Sequence, residues 1–255
     1  MKKALMSLLS VCLFSAHAFA QDPVFGEQKK PARKGFVFSI NGDYDLPGAD
    51  MAKRFGASYR VGVEVFYKTK SNWMFGPKLD LIFGGKIKED SLMINLKDNS
   101  NMVLNISGQR QGVGTFERGY MIGVQLGKLI NTSKKSSDNG VMFLTSVGFI
   151  QHKINIFDRS ASTPELKTEF KKGYDRLANG LYVEEYVCYN YFADNGLINF
   201  HIGLDVMAGF TAGRRDFLWD VRRPDTGSRL DLLFGIRGGW YLPIFKRKSE
   251  EFFFE

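Results

Sequence analysis

The chain has 255 residues, of which 44% are hydrophobic and 14% aromatic, with 23 Phe, 27 Gly and only 7 Pro. That is enough apolar matter for one large domain or two small ones and excludes a disordered chain, while a mean hydropathy of −0.19 excludes a bundle of membrane helices. The formal charge of +8 is scattered among 35 basic and 27 acidic residues, without the clustered basic face of a nucleic-acid binder.

At the N-terminus, Lys2 and Lys3 precede a mostly apolar run from Ala4 to Ala16, and Ala18-Phe19-Ala20 supplies an A-x-A cleavage site ahead of Gln21-Asp22-Pro23. This is the layout of a secretory signal peptide over residues 1–20; the apolar run is shorter than the roughly 20 residues of a membrane span. Cleavage removes Cys12 and leaves Cys188 alone, so no disulfide can form within the mature chain. Residues 21–34 then form a short polar lead.

From residue 35 onward the pattern has period two, the signature of strands with one apolar face. About eight strands are predicted, near 35–45, 56–69, 72–86, 117–131, 140–154, 179–192, 197–210 and 228–245. The clearest are the last two: Ile198, Phe200, Ile202, Leu204 and Val206 alternate with Asn199, His201, Gly203 and Asp205, and Leu230, Leu232, Phe234 and Ile236 alternate with Arg229, Asp231, Gly235 and Arg237. The segment 181–192 is the least regular, because adjacent Glu184 and Glu185 interrupt it. Connections alternate in length. Those at 70–71, 131–139 and 193–196 are short and polar, with Asn195-Gly196 suited to a tight hairpin turn. Those at 44–56, 86–119, 153–180 and 211–228 are long. Short turns at one end and long loops at the other describe an eight-stranded antiparallel transmembrane β-barrel over 35–245, all-β, with periplasmic turns and extracellular loops.

A soluble periplasmic barrel that binds a ligand would alternate in the same way, with its apolar face inward. The charges on the polar face favour the membrane arrangement. Arg60, Glu64, Lys78, Asp80, Asp205 and Arg237 would be costly in a soluble core, but can pair as an ionic network inside a lipid-embedded barrel. Eight strands leave an interior just wide enough for side chains, so these six are expected to plug the lumen.

Three stretches carry a family resemblance: the signal with its AFA/Q cleavage, the run DYDLPGADMAKRFGASYRVGVEVFYKTKSNWMFGPKLDLIFG, and the end LLFGIRGGWYLPIF. With them the chain resembles the small outer-membrane β-barrel proteins of Bacteroidota, the PorT-like type. The resemblance implies an outer-membrane location and, in some relatives, service in type IX protein secretion and gliding. It also implies a terminal insertion signal read by the barrel-assembly machinery, here Arg237, Gly239, Leu242, Ile244 and Phe245. The chain departs from the pattern by continuing past Phe245 with KRKSEEFFFE, a periplasmic tail over 246–255.

Catalysis has little to build on. After cleavage the histidines are His152 and His201; His201 shares a face with Asp205, and His152 has Ser146 or Ser160 as its only candidate partners. The run from Gly123 to Lys128 has neither the spacing nor the hydroxyl residue of a phosphate loop. No enzyme, cofactor or metal site is therefore expected, although a lipid-modifying barrel enzyme stands as an alternative. Function is expected in the loops: a hairpin in 86–119, a short helix begun by Thr163-Pro164-Glu165, and a basic loop with Arg214, Arg215, Arg222 and Arg223. Phe252, Phe253 and Phe254 in the tail suit docking to a partner or anchoring at the interface. The expected partners are outer-membrane lipid, the barrel-assembly machinery during insertion, and other envelope proteins; nucleic acid is not among them.

Overall fold

A computed structural model describes residues 29–158, 163, 166–193 and 198–245. The predicted signal peptide, the Asn195-Gly196 turn and the tail with Phe252, Phe253 and Phe254 lie outside the described residues. In chain order the elements are β1 (Gly35–Gly48), α1 (Ala49–Arg54), β2 (Ser58–Lys68), β3 (Trp73–Gly84), β4 (Val103–Leu104), β5 (Arg110–Gln111), β6 (Val113–Asn131) and β7 (Gly140–Asp158), followed by α2 (Thr168–Lys171), β8 (Ala178–Phe192), β9 (Asn199–Gly213), β10 (Arg215–Leu218), β11 (Arg223–Asp225) and β12 (Ser228–Phe245).

Eight of these strands close into one barrel, in the order β1-β12-β9-β8-β7-β6-β3-β2. Every contact is between antiparallel neighbours, and the ring is sealed where β1 meets β12, from Gly35 opposite Phe245 to Gly48 opposite Leu232. Closure leaves no sheet edge, which is what a β-structure must achieve in hydrocarbon, where no water can satisfy an unpaired amide. The remaining pairs, β4 with β5 and β10 with β11, are small hairpins in the long loops.

The apolar face of each strand points outward. Ile40, Val61, Val63, Leu79, Ile122, Val124, Val183, Leu204 and Ile236 are exposed, while Asp45, Arg60, Lys78, Asp80, Glu184 and Arg237 are buried. The soluble-barrel reading is thereby overturned: a surface this apolar is stable against acyl chains and not against water. Aromatic rings border the band. On β2, Tyr67 meets Phe36 at 5.3 Å near the short turns, and Tyr59 meets Tyr44 at 5.3 Å near the long loops. These tyrosines are 67 − 59 = 8 residues apart, or about 26 Å along a strand, which after tilt suits an apolar band of about 25 Å. The protein is an outer-membrane β-barrel.

Several strands run past their predicted ends at the loop side. β6 begins at Val113 rather than 117, β7 continues to Asp158, and β9 to Gly213. Backbone pairing continues beyond the bilayer, but both faces there meet water or loop, so the alternation that marks a strand in sequence fades. The 44–56 connection also differs from a plain loop. Met51 and Phe55, four residues apart, face the lumen from α1 and the residue after it, and both are fully buried. The helix predicted from Thr163-Pro164-Glu165 lies at Thr168–Lys171, while Thr163 N–H and Oγ1 are tied to Asp158 and Gln111.

Candidate functional site

The lumen is filled in layers. Nearest the short turns, Val37, Phe66, Met74, Leu129, Met142, Tyr186, Cys188, Phe192 and Tyr241 form an apolar cluster, with Phe192 and Tyr241 stacked at 5.0 Å and 6°. Below it the periplasmic mouth is crossed by the polar lead. Lys68 Nζ donates to Asp138 (2.7 Å), to Asn72 (2.7 Å) and to the Arg33 carbonyl (3.0 Å), and Arg33 Nε donates to Asp138 (2.6 Å).

The middle layer is ionic. Arg60 holds Asp45 through two hydrogen bonds (2.7 and 2.9 Å), Glu184 at 2.6 Å, and also Asp205. Lys78 lies 2.8 Å from Asp80 and also bonds Glu184. Arg237 bonds Glu64, stands 3.5 Å from Asp43, and places its guanidinium 5.0 Å from the Tyr186 ring centre. All six residues predicted for the lumen lie in this one layer. Asp43, Asp45 and Glu184 belong to it too and were missed. Six carboxylates (Asp43, Asp45, Glu64, Asp80, Glu184, Asp205) surround three cations (Arg60, Lys78, Arg237). Each cation therefore serves several acids, and both oxygens of Asp43 and of Asp80 lack a hydrogen bond. The missed residues were readable by phase: Asp43 and Asp45 alternate with Gly42, Tyr44 and Leu46, and Glu184 shares a face with Tyr182 and Tyr186.

Toward the extracellular side a second apolar cluster closes the barrel, with Met51, Phe55, Ile82, Met93, Met121, Ile150, Ile154, Tyr182 and Met207. The loops above it are knitted by ion pairs into a cap. Arg176 grips Asp220 bidentately (2.9 and 2.8 Å) and reaches Glu89 (3.3 Å), which also meets Arg54 (2.9 Å). Arg215 holds Asp175 at 2.7 and 2.6 Å, and Asp225 bonds Arg229. Burial pushes the Asp225 carboxyl up, but the hydrogen bond and charge of Arg229, with Arg54, hold it below its ordinary value. Arg176 is buried at φ 49, a left-handed backbone that a non-glycine residue keeps only when its surroundings dictate it. Two arginines of the predicted basic loop are thus engaged, Arg215 with Asp175 and Arg214 with Asn179.

The histidines do not form the pairs read from the sequence. His201 is not beside Asp205, which Arg60 claims; its Nε2 lies 3.1 Å from Ser39 Oγ and its Nδ1 2.7 Å from the Tyr186 hydroxyl. This Ser–His contact is buried between the ionic layer and the aromatic cluster, and among the described residues no carboxylate is hydrogen-bonded to the imidazole. His152 pairs with Asp231 (2.9 Å), which also accepts from Thr211 (2.5 Å). Ser146 stands six residues along the same strand, and Ser160 is outside the described residues. Among the described residues no His, Cys, Asp and Glu group has metal-binding geometry.

The residues of the terminal insertion signal do not share one surface. Arg237 lies in the ionic layer and Gly239 packs on His201, while Leu242 and Ile244 face lipid. Phe245 turns toward the mouth, under the Arg33 guanidinium at 4.6 Å and 6.0 Å from Phe192.

No family model matches the chain, and no curated protein matches it in sequence. Among solved structures it is similar in fold to Ail, the attachment invasion locus protein of Yersinia pestis, with 9% identity and a TM-score of 0.47 over 82% of this chain and 99% of that one. Neisserial surface protein A matches at 8% identity and TM-score 0.46, covering 82% and 97%. OprG of Pseudomonas aeruginosa matches at 10% and 0.35, covering 85% and 99%. The barrel assignment rests on the strand pairing itself.

Proposed function

We propose that the protein is a closed, non-catalytic outer-membrane barrel that presents its extracellular cap as a working surface and serves as a subunit of a larger envelope assembly. The observation that carries this is the stratified lumen. Apolar, ionic and apolar layers fill it from one mouth to the other, and an eight-stranded barrel packed in this way is a scaffold rather than a conduit. What remains available for work is the cap, where Arg54, Arg176 and Arg215 are matched to acids of other loops and hold them in place. Buried histidines support the non-enzymatic reading. Assembly in type IX secretion or gliding is the form that the family resemblance implies, with the periplasmic tail as a second contact and the barrel-assembly machinery as the partner met during insertion.

Two measurements test this. In planar bilayers the purified protein is expected to give no stable single-channel steps; large, reproducible steps would refute the scaffold reading. In a mild-detergent pull-down from its own cells, the intact protein is expected to retain envelope partners that a variant truncated after Phe245 or lacking the 86–112 loop loses. Identical partner sets for all three would remove the assembly role.

A further inference from the structure

One part of the cap is built as a receptacle. Three separate loops meet around a cleft of about 250 Å³, lined by Asn95, Leu96, Phe170, Tyr174 and Trp219. Phe170 is 53% exposed and Trp219 47% exposed, whereas Tyr174 is buried beneath them. These rings lie beyond the Tyr44–Tyr59 border of the lipid band, on segments that cap the barrel, so anchoring in a bilayer does not account for them.

Trp219 is held in place. Its N–H donates to the Gly173 carbonyl (3.1 Å), and its indole lies so close to Gly173 that a Cβ there would fall 1.6 Å from Cδ1 and 1.8 Å from Nε1. Only glycine admits that approach. Phe217 meets the indole edge-on at 5.2 Å, and the next residue, Asp220, is clamped by Arg176 and accepts the Met93 N–H at 3.0 Å. The ring is a fixed platform with its other side open. At the rim, Asn95 Nδ2 donates to the Tyr174 hydroxyl (3.0 Å), which sets a polar amide beside the aromatic surfaces.

Several acids of the loops around the cleft are already paired. Asp220 is consumed by Arg176, Asp175 by Arg215, and Asp98 lies 2.7 Å from Arg110. Lys171 and Lys172 stand in the chain between the lining residues Phe170 and Tyr174, and Lys97 follows Leu96; no ion pair is found for these three among the described residues. A volume below the roughly 300–1,000 Å³ of drug-sized pockets suits one ring rather than a peptide. Aromatic faces with a rim amide suit a ring that has an apolar C–H face and hydroxyl edges.

We propose that Asn95, Leu96, Phe170, Tyr174 and Trp219 form a saccharide subsite that stacks one acidic pyranose ring of a polysaccharide on Trp219, with its carboxylate met by Lys171 and Lys172. The proposal rests on the reading of the cap as the working surface and names what it binds. It can fail while the scaffold reading stands, because conductance and partner retention do not depend on sugar.

The test uses the whole protein in detergent and follows tryptophan emission with added tetragalacturonate, tetraglucuronate or, as a neutral control, maltotetraose. Trp73 and Trp240 face the lipid side, so the difference between the intact protein and Trp219→Phe assigns the signal. Saturable quenching by an acidic tetrasaccharide is expected, weakened roughly tenfold by the double charge reversal K171E/K172E and abolished by Gly173→Val. Should Gly173→Val fail to fold, Asn95→Ala read by titration calorimetry takes its place, with weakened binding expected. No saturable response to either acidic probe up to the order of 10 mM would overturn the proposal. So would equal affinity for maltotetraose, or binding indifferent to both Gly173→Val and Asn95→Ala.

Discussion

Glu184 and Glu185 are neighbours in β8 and live in different solvents. Glu184 is wholly buried in the lumen, shared between Arg60 at 2.6 Å and Lys78. Glu185 stands on the outer face among Val183, Val187 and Leu204, and among the described residues its hydrogen-bond partner is the Thr145 hydroxyl on β7, which donates to its carboxylate at 2.9 to 3.0 Å. The comparison shows how this barrel divides its tasks. Charge inside is multiply paired and links six strands of the barrel, β1, β2, β3, β8, β9 and β12. Charge outside has one neutral neighbour and meets hydrocarbon, where an ionisable group is a burden unless it has a use.

Substitutions on the two sides should separate accordingly. The largest effect is expected at Arg60, because acids outnumber cations in the lumen and losing the central cation strands several carboxylates at once. Arg60→Met should destabilise the barrel by about 3–5 kcal/mol or prevent folding, measured by urea unfolding in detergent with gel mobility as the folded-state marker. Glu184→Leu removes one acid from a layer with acids to spare, so a smaller loss of about 2 kcal/mol is expected. A greater loss than for Arg60→Met would show that the charge count is not what governs this layer. Glu185→Leu should be neutral or stabilise by about 1 kcal/mol in the same assay. Destabilisation there would instead point to a structural use for the Thr145 contact.

The smallest effect is confined to the cap. With the Asp225 carboxyl held below its ordinary value by Arg229 and Arg54, its ionised form contributes to cap stability at neutral pH, and that contribution is lost as pH falls through the lowered value. Hydrogen exchange in residues 215–229 is therefore expected to quicken below about pH 4 while the barrel strands stay protected. Asp225→Asn should show the quickened exchange already at neutral pH. Uniform protection across that range would mean that the ion pairs of the cap are not what hold it.

Much of this is legible in the amino-acid sequence. Alternation located the eight strands within the bilayer, and the charges on one face anticipated an ionic interior. Glu184 and Glu185 obscured β8 only while they were read as a pair; taken one by one, each keeps the phase of its own face. The candidate sites were less accessible. His201 shares a face with Asp205, four residues away, yet bonds Ser39 and Tyr186, because the barrel brings β1 and β8 to it and Arg60 takes the acid. Asp138, a turn residue, closes the periplasmic mouth with Lys68 and Arg33 from distant segments. Met51 and Phe55 look like loop residues until α1 turns them into the lumen.

The amino-acid sequence by itself determined the strand period, the number of crossings and which side chains share a face, since those follow from backbone geometry and the partition of apolar from polar groups. Only the tertiary structure decided which face is inside, which charges meet, and that three loops converge on Trp219. Such contacts join residues as distant as Glu64 and Arg237, 173 positions apart, and they exist only once β1 has closed on β12.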